Sequence, residues 1–348
     1  CGGIDMRRYI PLLWLTFFIL AVVFTSNIYL AGYADKSTKD YANSITVYTS
    51  IPIETAALLA AEYEKNTKVK VNFIPLSGNE IVDKVSAEVK EPQADAVLTN
   101  KEVLNKIKLS SNALQSYASE NTDIISQKFR ASDGMWVGVW YDPIVFCTNK
   151  DYLSHALHLP TGWEALVKDD HIRIGITDFM AADDAANLYY SMSADFGESA
   201  AMNLFRSLHP KIIQYSKFLV TPVRMAGMGE VDVAIAVQSE AMKYVKDGFP
   251  IQIIYPEEGS SYSLTGFGIL SGTKHKAETV QFMHWLVSDD AQMCLQANKF
   301  FFMPTNQESL AYKSFSGKNL ILLKNDVNYT KKEKETLLDN WVKNVRFG

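Results

Sequence analysis

Short clusters of hydroxyl, amide and glycine residues recur in this chain where an apolar extended run gives way to a helical one, and the chemistry they suit is anion binding. Tyr48-Thr49-Ser50 closes an alternating run, Ser77-Gly78-Asn79 precedes Ile81, and Thr221-Pro222 opens a helical stretch ahead of Gly229. The first turn of a helix leaves N–H groups unpaired at the positive end of its dipole, which favours phosphate or carboxylate there. Ser and Thr also cap those same N–H groups, so capping and ligand contact stand as alternatives at Ser77 and Thr221. Tyr48 reads equally as an aromatic at a sheet edge. Arg224 lies one turn into the helix that Thr221 begins; its planar fork of donors matches an anionic group, against the alternative of an exposed surface arginine. Tyr141 offers a stacking face beside Trp140, which reads as core or hinge packing. Ser260, Ser261 and Tyr262 follow a strand ending at Tyr255 and add further hydroxyls, or form an ordinary Gly-Ser turn.

Signatures of catalysis are missing. The chain has no Gly-x-Ser-x-Gly elbow, no Gly-rich loop before Lys-Ser or Lys-Thr, and no His-Glu-x-x-His. Asp183-Asp184 and Glu257-Glu258 are adjacent carboxylates that point in different directions on a helix and read as solvated charge. Tyr189-Tyr190 lies in a helix-like stretch and reads as packing. His155 and His158 are three apart, but two ligands do not close a zinc site. Residues brought together only by folding are the remaining route to an enzyme.

Elements that could position these residues follow from periodicity. Val69, Val71 and Phe73 alternate with Lys70 and Asn72 as a half-buried strand. Ala56, Leu59, Ala60 and Tyr63 recur at helical spacing, as do Ile81, Val85 and Val89, so each segment has one apolar face to lay on a sheet. With Val47 opening the series and Ala94 to Leu98 as a third strand, this is a βαβαβ unit of α/β type. Met135 to Thr148 is rich in Trp, Val, Tyr and Phe and is interrupted by Asp142-Pro143, which predicts two extended pieces meeting at a bend. A second α/β unit has strands near Ile172 to Thr177, Val231 to Val237 and Ile251 to Tyr255, the continuous apolar run Val233 to Val237 suiting a strand buried on both faces. Gly266 to Ser271 and the helix carrying Val280, Met283 and Val287 follow. The tail from Ala311 to Gly348 reads as helices with a polar break at Asn325 to Thr330.

Arg7 and Arg8 precede an apolar run from Ile10 to Phe24, then Thr25-Ser26-Asn27 and Ala31-Gly32-Tyr33-Ala34, the order of a secretory signal with its cleavage site. Extended to Tyr33, the same run reaches the ~20 residues that span a bilayer, so an uncleaved anchor is the alternative. The Cys1-Gly2-Gly3 start looks like that of a mature lipoprotein, but the apolar segment follows it, and Cys1 to Asp5 are read as an artefact of the start. The polar stretch Asp35 to Asn43 is a linker. Roughly 310 residues remain beyond the leader, more than the ~100 to 200 usual for one domain. A net charge of −5 without a basic block excludes nucleic acid as a partner, because that binding needs clustered Lys and Arg. Beyond the leader only Cys147 and Cys294 remain, too few for a disulfide framework, and the sequence alone does not show whether they approach.

Taken in order, Ile45-Thr46-Val47-Tyr48-Thr49-Ser50, Ser77-Gly78-Asn79-Glu80, Pro92-Gln93-Ala94-Asp95, Gly229-Glu230-Val231-Asp232, Tyr255-Pro256-Glu257-Glu258-Gly259 and Ser288-Asp289-Asp290-Ala291-Gln292 resemble the extracytoplasmic solute-binding proteins of ABC importers, in the group that includes ferric-ion, phosphonate and sugar-phosphate binders. The resemblance implies an α/β, two-lobed periplasmic-binding-protein fold of the class II type, with the ligand cleft between lobes. Residues 44–143 and 256–303 would form the first lobe, and 144–255 with 304–348 the second, Met135 to Thr148 crossing between them. It further implies a non-enzymatic monomer without cofactor, on the periplasmic or outer face of the membrane, that closes on a small solute and delivers it to a permease. Membrane association would come through that permease or the N-terminal anchor. A ligand-sensing module for a membrane histidine kinase is the alternative, as is ferric-ion or chelate binding by a non-standard site. The family's ferric ligands have no counterpart: Gln238-Ser239-Glu240 stands where adjacent tyrosines would, Pro52 near the histidine position, and Asn100 near the acidic one. The implied ligand is thus an organophosphate or phosphonate-like anion held by Tyr48, Thr49, Ser50, Ser77, Gly78, Asn100, Tyr141, Thr221, Arg224, Ser260, Ser261 and Tyr262, with no metal.

Overall fold

The computed structural model describes residues 44–315, 320–324 and 329–348; the expected leader or anchor and its linker lie outside them. Strand β1 (Ser44–Thr49) pairs in parallel with β2 (Lys70–Pro75) and β3 (Ala96–Asn100). Helix α1 (Ile53–Thr67) connects the first two and buries Ala56, Leu59 and Tyr63, the stripe its spacing predicts. Helix α2 (Gly78–Ala87) buries Ile81 and Val85 but ends before Val89, which is exposed. After β3 comes α3 (Lys101–Ser111).

The long strand β4 (Val137–Asn149) is buried along its whole length and joins two sheets. Its first part pairs antiparallel with β9 (Tyr262–Ile269), which also pairs with β3. Its second part, from Ile144, pairs with β7 (Val233–Val237) and β8 (Ile251–Ile254). No bend interrupts it at Asp142-Pro143. Pro143 instead occupies the step where the partner changes from β9 to β7, a place where a missing N–H is tolerated. In the second sheet β5 (Ile174–Thr177) lies parallel between β7 and β6 (Ile212–Ser216). Helices α4 (Asp183–Phe196) and α5 (Glu198–Leu208) connect β5 to β6, and α6 (Val220–Gly227) and α7 (Gln238–Lys246) flank β7. Strand β9 returns the chain to the first sheet, and helices α8 (Lys276–Leu286) and α9 (Asp289–Ala297) pack on that half.

Each sheet has its own core. Val47, Leu59, Phe129, Phe267 and Phe282 belong to the first; Phe146, Trp163, Phe179, Phe205 and Trp341 belong to the second. Residues 304–315, expected with the second half, lie on the first. Pro304 pairs with Trp140, Thr305 Oγ1 donates to the Gly138 carbonyl, and Phe315 enters the first core. The tail then crosses at 320–324, and α10 (Lys331–Trp341) packs on the second half through Leu337 and Trp341. Three extended segments therefore meet between the halves. The Ile144 N–H donates to Ser261 O, Ser260 Oγ to Ile144 O, and the Ser260 N–H to Ile321 O, while Leu323 N–H donates back to Ser260 O. Cys147 in β4 and Cys294 in α9 are both free thiols on opposite halves.

Candidate functional site

Between the halves is a cleft of about 640 Å³ at the carboxyl ends of β3 and β5. The first half contributes Asn79 from α2, Asn100, Lys101 and Lys106 from the start of α3, and Ser263 of β9; the second contributes Asp183, Asp184, Asn187 and Tyr190 of α4, with Lys331 and Lys334 of α10. Both α3 and α4 thus present their amino ends to the cavity. Asn100 caps α3 by accepting the Val103 N–H at 2.9 Å. The amino end of α4 carries Asp183 and Asp184 and has no side-chain cap. Desolvation pushes the Asp184 carboxyl up despite a hydrogen bond from Ser263. Asn187 Nδ2 donates to the Tyr262 carbonyl at 2.9 Å, tying α4 to the crossover strand. Lys334 Nζ spans the cleft to Glu102 Oε2 at 2.7 Å and lies 5.0 Å from the Tyr190 ring centroid. Burial, then nearby acids led by Glu102, raise the Tyr190 hydroxyl to about 12.

Such a lining can receive an anionic group at its lysines and amides, and hydroxyl or amine groups at its carboxylates. Among the described residues no group of three His, Cys, Asp or Glu is arranged to hold a metal ion. In the tyrosine-pair position of ferric carriers, Gln238 accepts a hydrogen bond from Tyr255 and Ser239 donates to Asp142. His155, His158 and His171 line a separate surface cavity of about 890 Å³ on the second half.

Of the twelve residues proposed from sequence, Asn100 lines the cavity. Ser50 lies at the same sheet edge, its hydroxyl 2.6 Å from that of Thr99, and Thr49 Oγ1 donates to Leu98 O at 2.7 Å, which holds the ends of β1 and β3 together. The rest are elsewhere. Tyr48 is buried under α2 with its hydroxyl donating to Glu88, because alternation along β1 turns it to the core face. Ser77 and Glu80 form a reciprocal capping box that uses the N–H groups an anion would need. At Gly78 a Cβ would lie 2.6 Å from Val103 Cγ2, so this glycine lets α2 approach α3. Thr221 is the second residue of α6 and caps nothing. Arg224 does not reach the cleft: it lies near the carboxyl end of α6, beside the amino ends of β5 and β7, and pairs with Glu230 at 2.8 Å. Tyr141 stacks on Phe129 with centroids 4.7 Å apart, and Tyr262 packs edge-on against both. Ser260 and Ser261 form the crossover hydrogen bonds described above.

Sequence reading missed the cleft residues of α4 and α10. Their only signal was an Asp pair opening the helix that follows a strand and a short loop, and a mixed-charge helix that reads as solvated. Glu258, expected in solvent, caps the short helix Trp163–Lys168 by accepting the Trp163 and Glu164 N–H groups.

The family model of bacterial extracellular solute-binding proteins matches residues 59–322, most of the chain. This chain belongs to that family. It is the extracytoplasmic solute-binding component of an ABC importer, and it binds its cargo without transforming it. A "probable ABC transporter periplasmic-binding protein" of Sinorhizobium fredii is 26% identical over 279 residues, covering 78% of this chain and 76% of that protein. Two solved structures share the solute-binding protein's fold. The periplasmic binding protein AfuA of Actinobacillus pleuropneumoniae, with fructose-6-phosphate bound, superposes with a TM-score of 0.63 at 23% identity, over 88% of this chain and 99% of that one. The apo ferric ion-binding protein A of Pasteurella haemolytica does so with a TM-score of 0.68 at 21% identity, over 88% and 98%.

Proposed function

We propose that this solute-binding protein carries a small polyhydroxylated anion of the sugar-phosphate kind, and that the inter-half cleft is where it binds. The observation that carries this reading is the division of the lining into Lys101, Lys106 and Lys331 with Asn79 and Asn100 on one hand, and Asp183, Asp184 and Asn187 on the other. A phosphate or carboxylate suits the first set. Sugar hydroxyls, which both donate and accept, suit the second. The fold shared with a fructose-6-phosphate-bound protein agrees with this chemistry. A bare ferric ion fits less well, since its hard charge calls for a converging set of anionic oxygen ligands.

The lobes divide, on this reading, at the crossover segments near Pro143, Ser260 and Leu322, and the solute favours a closed form through contacts it makes only when both halves reach it. The closed form is what a permease partner recognises. Calorimetry with fructose 6-phosphate, glucose 6-phosphate, 2-aminoethylphosphonate and ferric citrate tests the class. A charge-assisted hydrogen bond contributes ~1.5 to 3 kcal/mol, so Lys106→Ala weakens the best phosphate ligand by roughly 10- to 150-fold. Tight ferric binding in the absence of any organic anion overturns the reading.

A further inference from the structure

Asp142 sits at the step where β4 leaves one sheet for the other, opposite Ser263 in β9 and one residue before Pro143. It is almost fully buried. Its carboxyl accepts both the backbone N–H of Ser239, at 2.9 Å, and the Ser239 hydroxyl, so it joins the hinge to the first turn of α7 in the second half. The groups around it do not neutralise it. Asp184 at the amino end of α4 and Glu240 in α7 are carboxylates, and Lys243 is already paired with Glu240 at 2.8 Å. Tyr255, from the returning crossover segment, is a neutral phenol whose hydroxyl goes to Gln238. Across β9, Ser263 and Tyr262 add no charge.

A carboxylate in this position is desolvated when the halves are packed as they are here, and opening the hinge exposes it to water. Protonation removes both the desolvation cost and the repulsion from Asp184 and Glu240, while the neutral acid keeps its two links to Ser239 by donating its own O–H to the Ser239 hydroxyl. We propose that Asp142 is a proton-dependent latch of the hinge: its protonated form holds the two halves together and its ionised form releases them. Cargo uptake would then respond to the pH outside the membrane. The inference rests on the closure motion proposed above, but not on the identity of the cargo.

The experiment uses the solute-free protein. Small-angle scattering of the wild type at pH 5.5 and 8.5 should show a larger radius of gyration at the higher pH, with its midpoint near the pH at which Asp142 titrates. Asp142→Asn, an isosteric mimic of the protonated acid, should stay compact at both. Carbon-13 NMR of labelled aspartate follows the Asp142 carboxyl directly and is independent of whether that variant folds; burial, opposed by the Ser239 hydrogen bonds and assisted by Asp184 and Glu240, places its titration at about 7. A radius that does not change with pH overturns the latch, as does a variant that expands like the wild type or a carboxyl that titrates in the ordinary range. If added fructose 6-phosphate still compacts the protein when pH does not, the latch alone has failed and the closure motion stands.

Discussion

Asp142 also makes a quantitative claim on stability. Its carboxyl titrates at about 7 in the folded protein against 3.8 for an ordinary aspartate, a consequence of burial first and of Asp184 and Glu240 after it. The difference is roughly three pH units, and at ~1.4 kcal/mol per unit the ionised group costs the fold about 4 kcal/mol. The fold holds this proton more tightly than the unfolded chain does. The cost is therefore absent below about pH 4, grows as the pH rises from 4 to 7, and is complete above that. An amide side chain cannot ionise, so Asp142→Asn removes the cost while weakening the Ser239 hydrogen bond by ~1 kcal/mol. Urea unfolding of both proteins at pH 4.5, 6 and 8 gives the test. The variant should be the more stable at pH 8, by up to about 3 kcal/mol while the halves stay packed and by less to the extent that opening rehydrates Asp142, with the advantage shrinking to nearly nothing at pH 4.5. Groups not coupled to Asp142 titrate alike in both proteins and cancel in the difference, whereas relief of Asp184 and Glu240 from its charge adds to the variant's advantage at high pH. A difference that stays flat with pH, or that favours the wild type at pH 8, would refute the reasoning.

Arg224→Ala should leave solute affinity unchanged in calorimetry and barely change stability in urea unfolding, because its pair with Glu230 is exposed and far from the cleft. Ser77→Ala should likewise spare affinity but lower stability by ~0.5 to 2 kcal/mol in urea unfolding, through loss of the cap on α2. The Glu102–Lys334 pair bridges the halves at 2.7 Å. A double-mutant cycle with alanine at both positions should give a coupling of ~0.2 to 1 kcal/mol that vanishes in high salt; a salt-independent coupling would mean that more than an exposed ion pair joins these helices.

The first half of the fold was legible because its signals are local. Helical spacing in Ala56, Leu59 and Tyr63 and alternation around Val71 are properties of neighbours in sequence, and the structure follows them. Strand β6 was not named, since it is a short edge strand with Ile213 exposed and no clean alternation. The bend expected at Asp142-Pro143 failed for a different reason. A proline ends a strand only where its N–H is needed, and here β4 is changing partners at that residue. Residues 304–315 were assigned to the wrong half because nothing local distinguishes a tail that pairs with β4 from one that leaves it.

Placement of the site depended on which end of each element faces the cleft, and local pattern does not carry that. Arg224 is expected one turn into a helix begun by Thr221, and Asn100 near the acidic ligand position of ferric carriers. Asn100 is one residue before its helix and so stays at the carboxyl end of β3. Arg224 is five residues into an eight-residue helix that runs back toward the amino ends of β5 and β7, and at ~1.5 Å per residue those few positions carry it roughly 6 Å along the axis and away from the cleft. The same geometry explains Asp184. On an isolated helix two adjacent aspartates are surface charge, but the amino end of α4 faces α3 across the hinge, so one of them is desolvated by a half of the protein that begins far earlier in the chain. What makes the cleft chemically distinctive, carboxylates of α4 brought opposite lysines of α3 and α10, is therefore created by the crossing of β4 between sheets rather than by any motif. Binding and hinge motion consequently share residues: Ser263 donates to Asp184 in the cleft and lies opposite Asp142 in the hinge, so a solute that engages Asp184 also alters the field at the latch.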